Sequence, residues 1–439
     1  MKVGIIGSGL SGIAAAYFAR TRGFDVTLIT GKLGGITQTF VKDNWEIDTG
    51  PKMLEICPAS CILEEMALGL GIEKSFQFSN INPNDRSIYY NGKMIPAQIL
   101  PDYMTISDLL SNSLLIKNFL ANLFKVKKVP KSVDDESIYD FIKKNDAFWD
   151  GEDEDWLINV YADANLRALF GGDIKKLSAR SCNAYSKDFN LKYNKRLAIS
   201  PDGYFPDFEK VLVYHYGLTE CRKTFLRFKG GWNFFINSVL DWLKKENVKI
   251  IDDYVKSIDG VKPQLTLKSG NLLNFNNIIS TVNSKVLNSI FPEMISNIEH
   301  KSWNSVTLCY NDPPPMKNLG YIIPTNQGSK ICSVTYTYNV FPDLAPTISI
   351  VGEGSTDELI SEFKKHTNFE KNPDYIHEIF MEDAIPQFHI GHYIQQLNME
   401  SNRPPWLYIA GHSFYHQGVF IGMIKVKHMI DEIYELSSK

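Results

Sequence analysis

No CxxC pair occurs in this sequence: its six cysteines, Cys57, Cys61, Cys182, Cys221, Cys309 and Cys332, are scattered through 439 residues. That argues against a disulfide framework and reads as reduced core thiols of an intracellular protein. Cys57 and Cys61 stand four apart with no partner ligand nearby, so packing outweighs a metal site. A run of about eighteen apolar residues is also missing. The most apolar candidate is broken by Asn112, Lys117, Asn118 and Asn122, which excludes a spanning helix there. Charge of one sign is lacking too: 46 Lys and Arg against 50 Asp and Glu leave a net charge of −4. A nucleic-acid partner is therefore not expected. The first strand starts at residue 3, so no secretory signal or presequence is expected ahead of the fold.

What remains is the composition of a globular protein, 44% hydrophobic and 22% charged, at a length that calls for two or three domains. The most informative stretch is the beginning. Residues 3–6 are a short apolar strand, Gly7-x-Gly9-x-x-Gly12 follows at once, and residues 13–19 are small, apolar and helix-favouring. Strand, glycine turn and helix in that order form a dinucleotide fingerprint. Gly7 permits the tight turn, Gly9 lets the backbone approach a pyrophosphate, and Gly12 lets the helix pack close to the strand. A plain structural turn is the competing explanation. Residues 25–30 read as the second parallel strand, with Gly23 ending the helix before it. Gly31, Gly34-Gly35 and Gly50-Pro51-Lys52 then suggest backbone wrapped round a large cofactor.

Residues 96–195 differ in character. Leu109, Leu110, Leu114, Leu115, Phe119, Leu120, Leu123 and Phe124 recur at helical spacing, followed by Lys125, Lys127, Lys128 and Lys131 around Pro130. This face suits either a membrane interface or the core of its own domain. The acid-rich segment 134–156 reads as a solvated face and loop. From residue 227 strands return, with a helix near 233–245, a hairpin about Gly270 and a buried strand at 277–282. Alternating β-formers over 303–395 indicate a mixed, sheet-based second domain. The chain closes with a strand at 406–411, a turn, and a helix opening at Gly418-Val419.

The N-terminal constellation, the Gly230-Gly231 turn and the terminal Ala410-Gly411…Gly418-Val419 with its helix resemble the FAD-dependent amine oxidase and phytoene desaturase superfamily. Within it, four ordered segments resemble the oxygen-dependent protoporphyrinogen oxidase family. These are Arg86 to Pro96, Asp135-Glu136-Ser137-Ile138-Tyr139-Asp140-Phe141, Leu169-Phe170-Gly171-Gly172-Asp173 with Leu177-Ser178, and Ala384-Ile385-Pro386-Gln387-Phe388 with Gly391-His392. The resemblance implies an α/β, Rossmann-like FAD-binding domain from residues 1–68, 225–290 and 400–439. It implies a mixed-sheet α+β substrate domain from 69–95 and 291–399, a helical membrane-associating domain from 96–200, and a connecting segment at 201–224.

It further implies oxidation of protoporphyrinogen IX to protoporphyrin IX, with three O2 giving three H2O2, in haem synthesis. No side chain is assigned as catalytic acid or base, because the flavin carries the chemistry. FAD would be held by Gly7, Gly9, Leu10, Ser11, Gly12, Thr30, Gly34, Gly35, Gly50, Pro51, Lys52, Val255, Gly411, Gly418, Val419 and Ile421. Arg86 would take a substrate propionate, with Leu319, Ile322, Ile350 and Ala168 against the macrocycle. Monotopic attachment to the mitochondrial inner membrane, a homodimer and hand-over of product to ferrochelatase belong to the same set of expectations. A bacterial plasma membrane or the cytoplasm is the alternative location.

Four positions depart from the family's pattern. Ala168 replaces a glycine near the reacting carbon, Thr30 an acid that holds the ribose, and Lys52 an arginine beside the flavin. The turn Phe420-Ile421-Gly422-Met423 is altered as well. A flavin oxidase acting on an amine, and a catalytically silent porphyrin- or partner-binding relative with a weakened FAD site, therefore stay open. His389, His392, His412 and His416 read as structural hydrogen-bonding groups, and no metal site is expected.

Overall fold

Strand β1 (Lys2–Ile6) is apolar on both faces, and the helix behind it, α1 (Leu10–Thr21), carries Ala14, Ala15 and Ala16, each fully buried. Small residues on that helix let it approach the sheet on one side and a second helix on the other. These elements are defined in a computed structural model that describes residues 1–55, 60–79, 81, 85–97, 135–145, 156–182, 225–292, 298–415 and 418–438. The chain divides into two units.

The first unit comprises Met1–Ser79, Phe225–His300 and Ile394–Lys439. Its centre is a five-stranded sheet in the order Lys249–Asp252, β2 (Asp25–Thr30), β1, Asn277–Ser280 and Leu407–Ile409, with every pairing parallel. Strands buried on both faces need continuous apolar runs, which Val-Gly-Ile-Ile and Asn-Ile-Ile-Ser largely supply. The long C-terminal helix, Val419–Ser437, packs on α1. A three-stranded meander (Val255–Ile258, Gln264–Leu267, Leu272–Asn274) turns at Gly270 and covers the other face, where Ile6, Ile29, Val255, Leu265, Ile278 and Leu407 share one core.

The second unit comprises Asn80–Thr224 and Lys301–Tyr393. It holds most of a seven-stranded mixed sheet ordered Tyr375–Pro386, His300–Cys309, Thr347–Gly352, Ile331–Tyr336, Gly320–Ile322, Ser87–Tyr90, Lys93–Pro96. Its central strands alternate apart from an irregularity between Ile331 and Ser333. Val306, Leu308, Val334, Tyr336, Ile348 and Ile350 form one face, packed by Leu359 and Phe363 of the helix Thr356–Thr367. That helix begins with a Ser355–Glu358 capping box. The opposite face presents Ser305, Thr307, Thr347 and Ser349, all buried, and Ser349 Oγ has no hydrogen-bond partner among the described residues.

Domain boundaries differ from the sequence expectation at three places. Strand Phe76–Ser79 pairs antiparallel with Phe225–Phe228, which carries residues 69–79 into the first unit. Residues 291–300 and 394–399 go the same way. Pairings between distant segments leave no local pattern for a sequence to display. The described parts of 96–200 are not a separate body either. Ile138, Ile158, Phe170, Ile174 and Leu177 share a core with Phe388, so they belong to the unit that holds 301–393. The 109–124 stretch, its basic cluster and the segment 201–224 lie outside the described residues. Among the described residues no helix is long and apolar enough to cross a membrane.

Candidate functional site

In the first unit, glycine lets several segments crowd together at the carboxyl ends of the parallel strands. Gly7 has φ +95°, and its carbonyl oxygen lies 2.0 Å from where a Cβ on Gly12 would sit. Thr281 Oγ1 donates to Ile6 O at 2.9 Å and would be 2.9 Å from a Cβ at either Gly7 or Gly12. Gly411, at φ +110°, crosses Thr281 O. Gly34 N donates to Ser8 O at 3.0 Å, and Gly35 sits over Gly9. Gly9, unlike Gly7, Gly12, Gly34, Gly35 and Gly411, opens outward: a Cβ there would meet nothing within 4 Å among the described residues.

Two helices begin at this place. Gly9 caps α1 and Gly418 caps the C-terminal helix, both in extended backbone, neither with a side-chain cap nor an acid in its first turn. Helix geometry leaves the N–H groups of Leu10, Ser11 and Gly12, and of Val419, Phe420 and Ile421, without intrahelical acceptors. The two first turns touch, since a Cβ on Gly422 would lie 2.6 Å from Ser11 Oγ. Two positive helix ends meeting beside an open glycine make a cradle for a diphosphate. The sequence-predicted Gly7, Gly9, Leu10, Ser11, Gly12, Gly34, Gly35, Gly411, Gly418, Val419 and Ile421 are therefore brought into one neighbourhood.

Thr30 is at the expected strand end, but its hydroxyl turns inward. It shares a short hydrogen bond with Ser8 Oγ and accepts from Lys32 N at 3.2 Å. Val255 is buried in the meander core, paired with Leu267. Gly50 packs against Thr37, Pro51 O accepts from Trp232 Nε1 at 2.9 Å, and Lys52 Nζ donates to the Asp48 carbonyl.

Sequence reasoning missed the network beneath this segment. Arg227, 5% exposed, reaches Glu46 at 2.8 Å, Gln77 at 3.0 Å and Asp48 at 3.7 Å. Asp48 accepts from Thr39 Oγ1 at 2.6 Å and from Trp232 N, so it caps the helix Gly231–Lys245. Burial pushes its carboxyl up despite Arg227 and Thr39. The available signal was a lone arginine inside Phe225-Leu226-Arg227-Phe228. Gly231, at φ +65°, is required because a Cβ would fall 2.2 Å from Thr39 Oγ1 and 2.6 Å from Asp48 Oδ1. Gly231→Ala is expected to lower stability by about 2–3 kcal/mol, combining a left-handed backbone penalty with a disturbed cap; urea unfolding measures it.

Three of the four histidines singled out in the sequence, His389, His392 and His412, fall among the described residues. His392 stacks on Phe388 with ring centroids 4.4 Å apart, and His389 lies in a β-bridge with Leu177. His412 has interactions of its own, while His416 is outside the described residues. The terminal loop is pinned by Ser413 Oγ to His300 Nε2 at 3.0 Å, by Gln396 to Phe414 O, and by Tyr415 to Glu400. Among the described residues no cluster of three or more His, Cys, Asp or Glu could hold a metal ion. The described cysteines Cys61, Cys182, Cys309 and Cys332 are thiols outside any disulfide, and burial lifts the Cys182 thiol to about 12 and that of Cys332 to about 11.

The five residues expected to touch substrate all fall in the second unit, with Ile322 and Ile350 on opposite faces of its sheet. Ile322 pairs with Ser333 and Ile88 and packs with Ala164 and Ala168. Arg86 precedes Ile88 by two residues, the same side by alternation, and its carbonyl accepts from Ala97 N at 2.8 Å. Ile350 pairs with Val306 and Val334 and belongs to the opposite, aliphatic face. Leu319 is fully buried just ahead of the strand Gly320–Ile322. One ligand cannot lie against both faces, so Arg86, Ile322 and Ala168 form the coherent set. Ile350 serves the core.

The family described as flavin containing amine oxidoreductase matches residues 10–367. The chain is 22% identical to a protoporphyrinogen oxidase of Dictyostelium discoideum over 98% of each chain. It is 21% identical to a coproporphyrinogen III oxidase of Staphylococcus aureus over 90% of each. A crystal structure from Exiguobacterium sp. 255-15 shares the fold with a TM-score of 0.72 at 16% identity, covering 99% of this chain and 98% of that one.

Proposed function

Because the chain belongs to the flavin containing amine oxidoreductase family, we propose that it binds FAD and oxidises protoporphyrinogen IX to protoporphyrin IX, with three O2 reduced to three H2O2. The observation that carries the cofactor half is the meeting of two uncapped helix N-termini beside the open side of Gly9. A diphosphate bridging two halves of a dinucleotide fits such a cradle. Bound FAD would supply the acceptor for hydride equivalents.

The chain's own residues bind and orient. Arg86 offers a planar guanidinium that suits a propionate carboxylate, and Ile322 with Ala168 offers apolar surface to the macrocycle. The substrate follows the Dictyostelium discoideum relative, matched over its full length. The Staphylococcus aureus relative supports coproporphyrinogen III as a second reading. Attachment to the mitochondrial inner membrane completes the proposal, and flotation with cardiolipin-containing liposomes tests it.

Purified protein should carry visible flavin absorbance, and anaerobic mixing with protoporphyrinogen IX should bleach it. A colourless protein that gains nothing from added FAD, or a bound flavin that stays oxidised, sinks the proposal. Arg86→Ala is expected to raise KM about tenfold or more, with a smaller change in kcat, as loss of ground-state binding predicts. An unchanged KM counts against the role of Arg86.

A further inference from the structure

The end of β2 normally carries the acid that holds the ribose hydroxyls of a dinucleotide. Here that position is Thr30, and its hydroxyl is consumed inside the turn by Ser8 and Lys32 N. We propose that Asp252, at the end of the neighbouring strand, supplies the missing carboxylate to the adenosine ribose. The proposal rests on the dinucleotide reading of the first unit.

Register places it there. Lys249–Asp252 runs parallel to β2 with Asp252 directly opposite Thr30. Partners in register on parallel strands are about 4.8 Å apart and project to the same side. Asp252 is exposed, and its carboxylate makes no hydrogen bond or ion pair with another described residue.

The loop that follows is held firmly to the end of β2. Asp253 accepts from Tyr254 N at 2.7 Å and from Ser269 N at 3.3 Å. Tyr254 OH donates to Gly31 O at 3.2 Å. The Tyr254 ring also lies 2.1 Å from where a Cβ on Gly31 would be, so residue 31 must be glycine for this closure. Lys268 sits over the same ring, 4.9 Å from its centroid. A free carboxylate is thereby fixed one strand away from the position that lost its acid. An ionised acceptor forms stronger hydrogen bonds to hydroxyls than a neutral one.

The experiment measures binding, not turnover. Apoprotein is titrated calorimetrically with ADP and with 2′,3′-dideoxy-ADP, for the unaltered chain, Asp252→Ala and Asp252→Glu. The unaltered chain should bind ADP about tenfold or more tightly than the dideoxy analogue. Asp252→Ala should erase that preference while its melting temperature stays unchanged, since the residue is exposed, and Asp252→Glu should restore part of it. An Asp252→Ala variant that keeps the full preference for ADP overturns the inference and leaves the cofactor reading standing. An unaltered chain that binds neither ADP nor FAD overturns the cofactor reading and this inference with it.

Discussion

Gly9→Ala should give a folded protein without flavin, and Gly12→Ala one that has lost both flavin and stability. The two substitutions add the same methyl group to the same turn and differ only in what it meets. At Gly12 the Cβ would fall 2.0 Å from Gly7 O, 2.8 Å from Gly7 C and 2.9 Å from Thr281 Oγ1. Two of these are backbone atoms of the turn itself, so the first turn of α1 has to move away from β1. Overpacking of that kind costs about 1–3 kcal/mol, and the N–H groups of Leu10 and Ser11 move with it. FAD affinity should fall at least a hundredfold, about 2.7 kcal/mol. At Gly9 the Cβ meets nothing within 4 Å, so the melting temperature of the apoprotein should not change. The added methyl occupies the space assigned to the diphosphate, and retained flavin should drop just as far. A Gly9→Ala protein purified with its full complement of flavin would place the diphosphate elsewhere.

Those two glycines were legible in the sequence because their constraint is local: strand, turn and helix follow within ten residues. Thr30 was legible as a departure, yet the engagement of its hydroxyl with Ser8 was not, since it depends on how the turn folds back. Asp252 could not be singled out at all. Its meaning comes from a pairing across the sheet, and register between distant strands has no signature in either segment. The same limit explains the substrate residues. Alternation within Gly320–Ile322 or Thr347–Gly352 can be read from each strand alone, but only the pairings show Ile322 and Ile350 on opposite faces. Arg227 and Asp48 went unnoticed because a buried charge looks ordinary until its partners, brought in from another segment, are known. The domain boundary at residue 68 failed for the reason that strand Phe76–Ser79 finds its partner at Phe225–Phe228.

Glu64→Gln is expected to make the protein more stable at pH 8 while changing little at pH 4.5. Glu64 lies on the helix Cys61–Leu70, is 6% exposed, and its Oε1 has no hydrogen-bond partner among the described residues. Burial without a compensating charge pushes its carboxyl from 4.5 up to about 7. The direction of the pH effect follows from proton counts. Between about pH 4.5 and 7 the unfolded chain has released this proton and the folded chain still holds it. The folded state therefore binds more protons, and stability falls as pH rises through that window. Each pH unit crossed within it is worth about 1.4 kcal/mol, so the full loss approaches about 3 kcal/mol and is complete above pH 7. Glutamine keeps the shape of the protonated acid and cannot ionise, so it removes the loss. Urea unfolding of both proteins at pH 5, 6, 7 and 8 should show curves that nearly meet at pH 5 and separate steadily to about 3 kcal/mol by pH 8. Parallel curves would mean that Glu64 finds a partner in solution and ionises with the other carboxylates. The sign is opposite to that of a salt-bridged acid, whose contribution is present at neutral pH and lost on acidification. A stability maximum on the acidic side that vanishes in Glu64→Gln would identify this single buried carboxyl as its source.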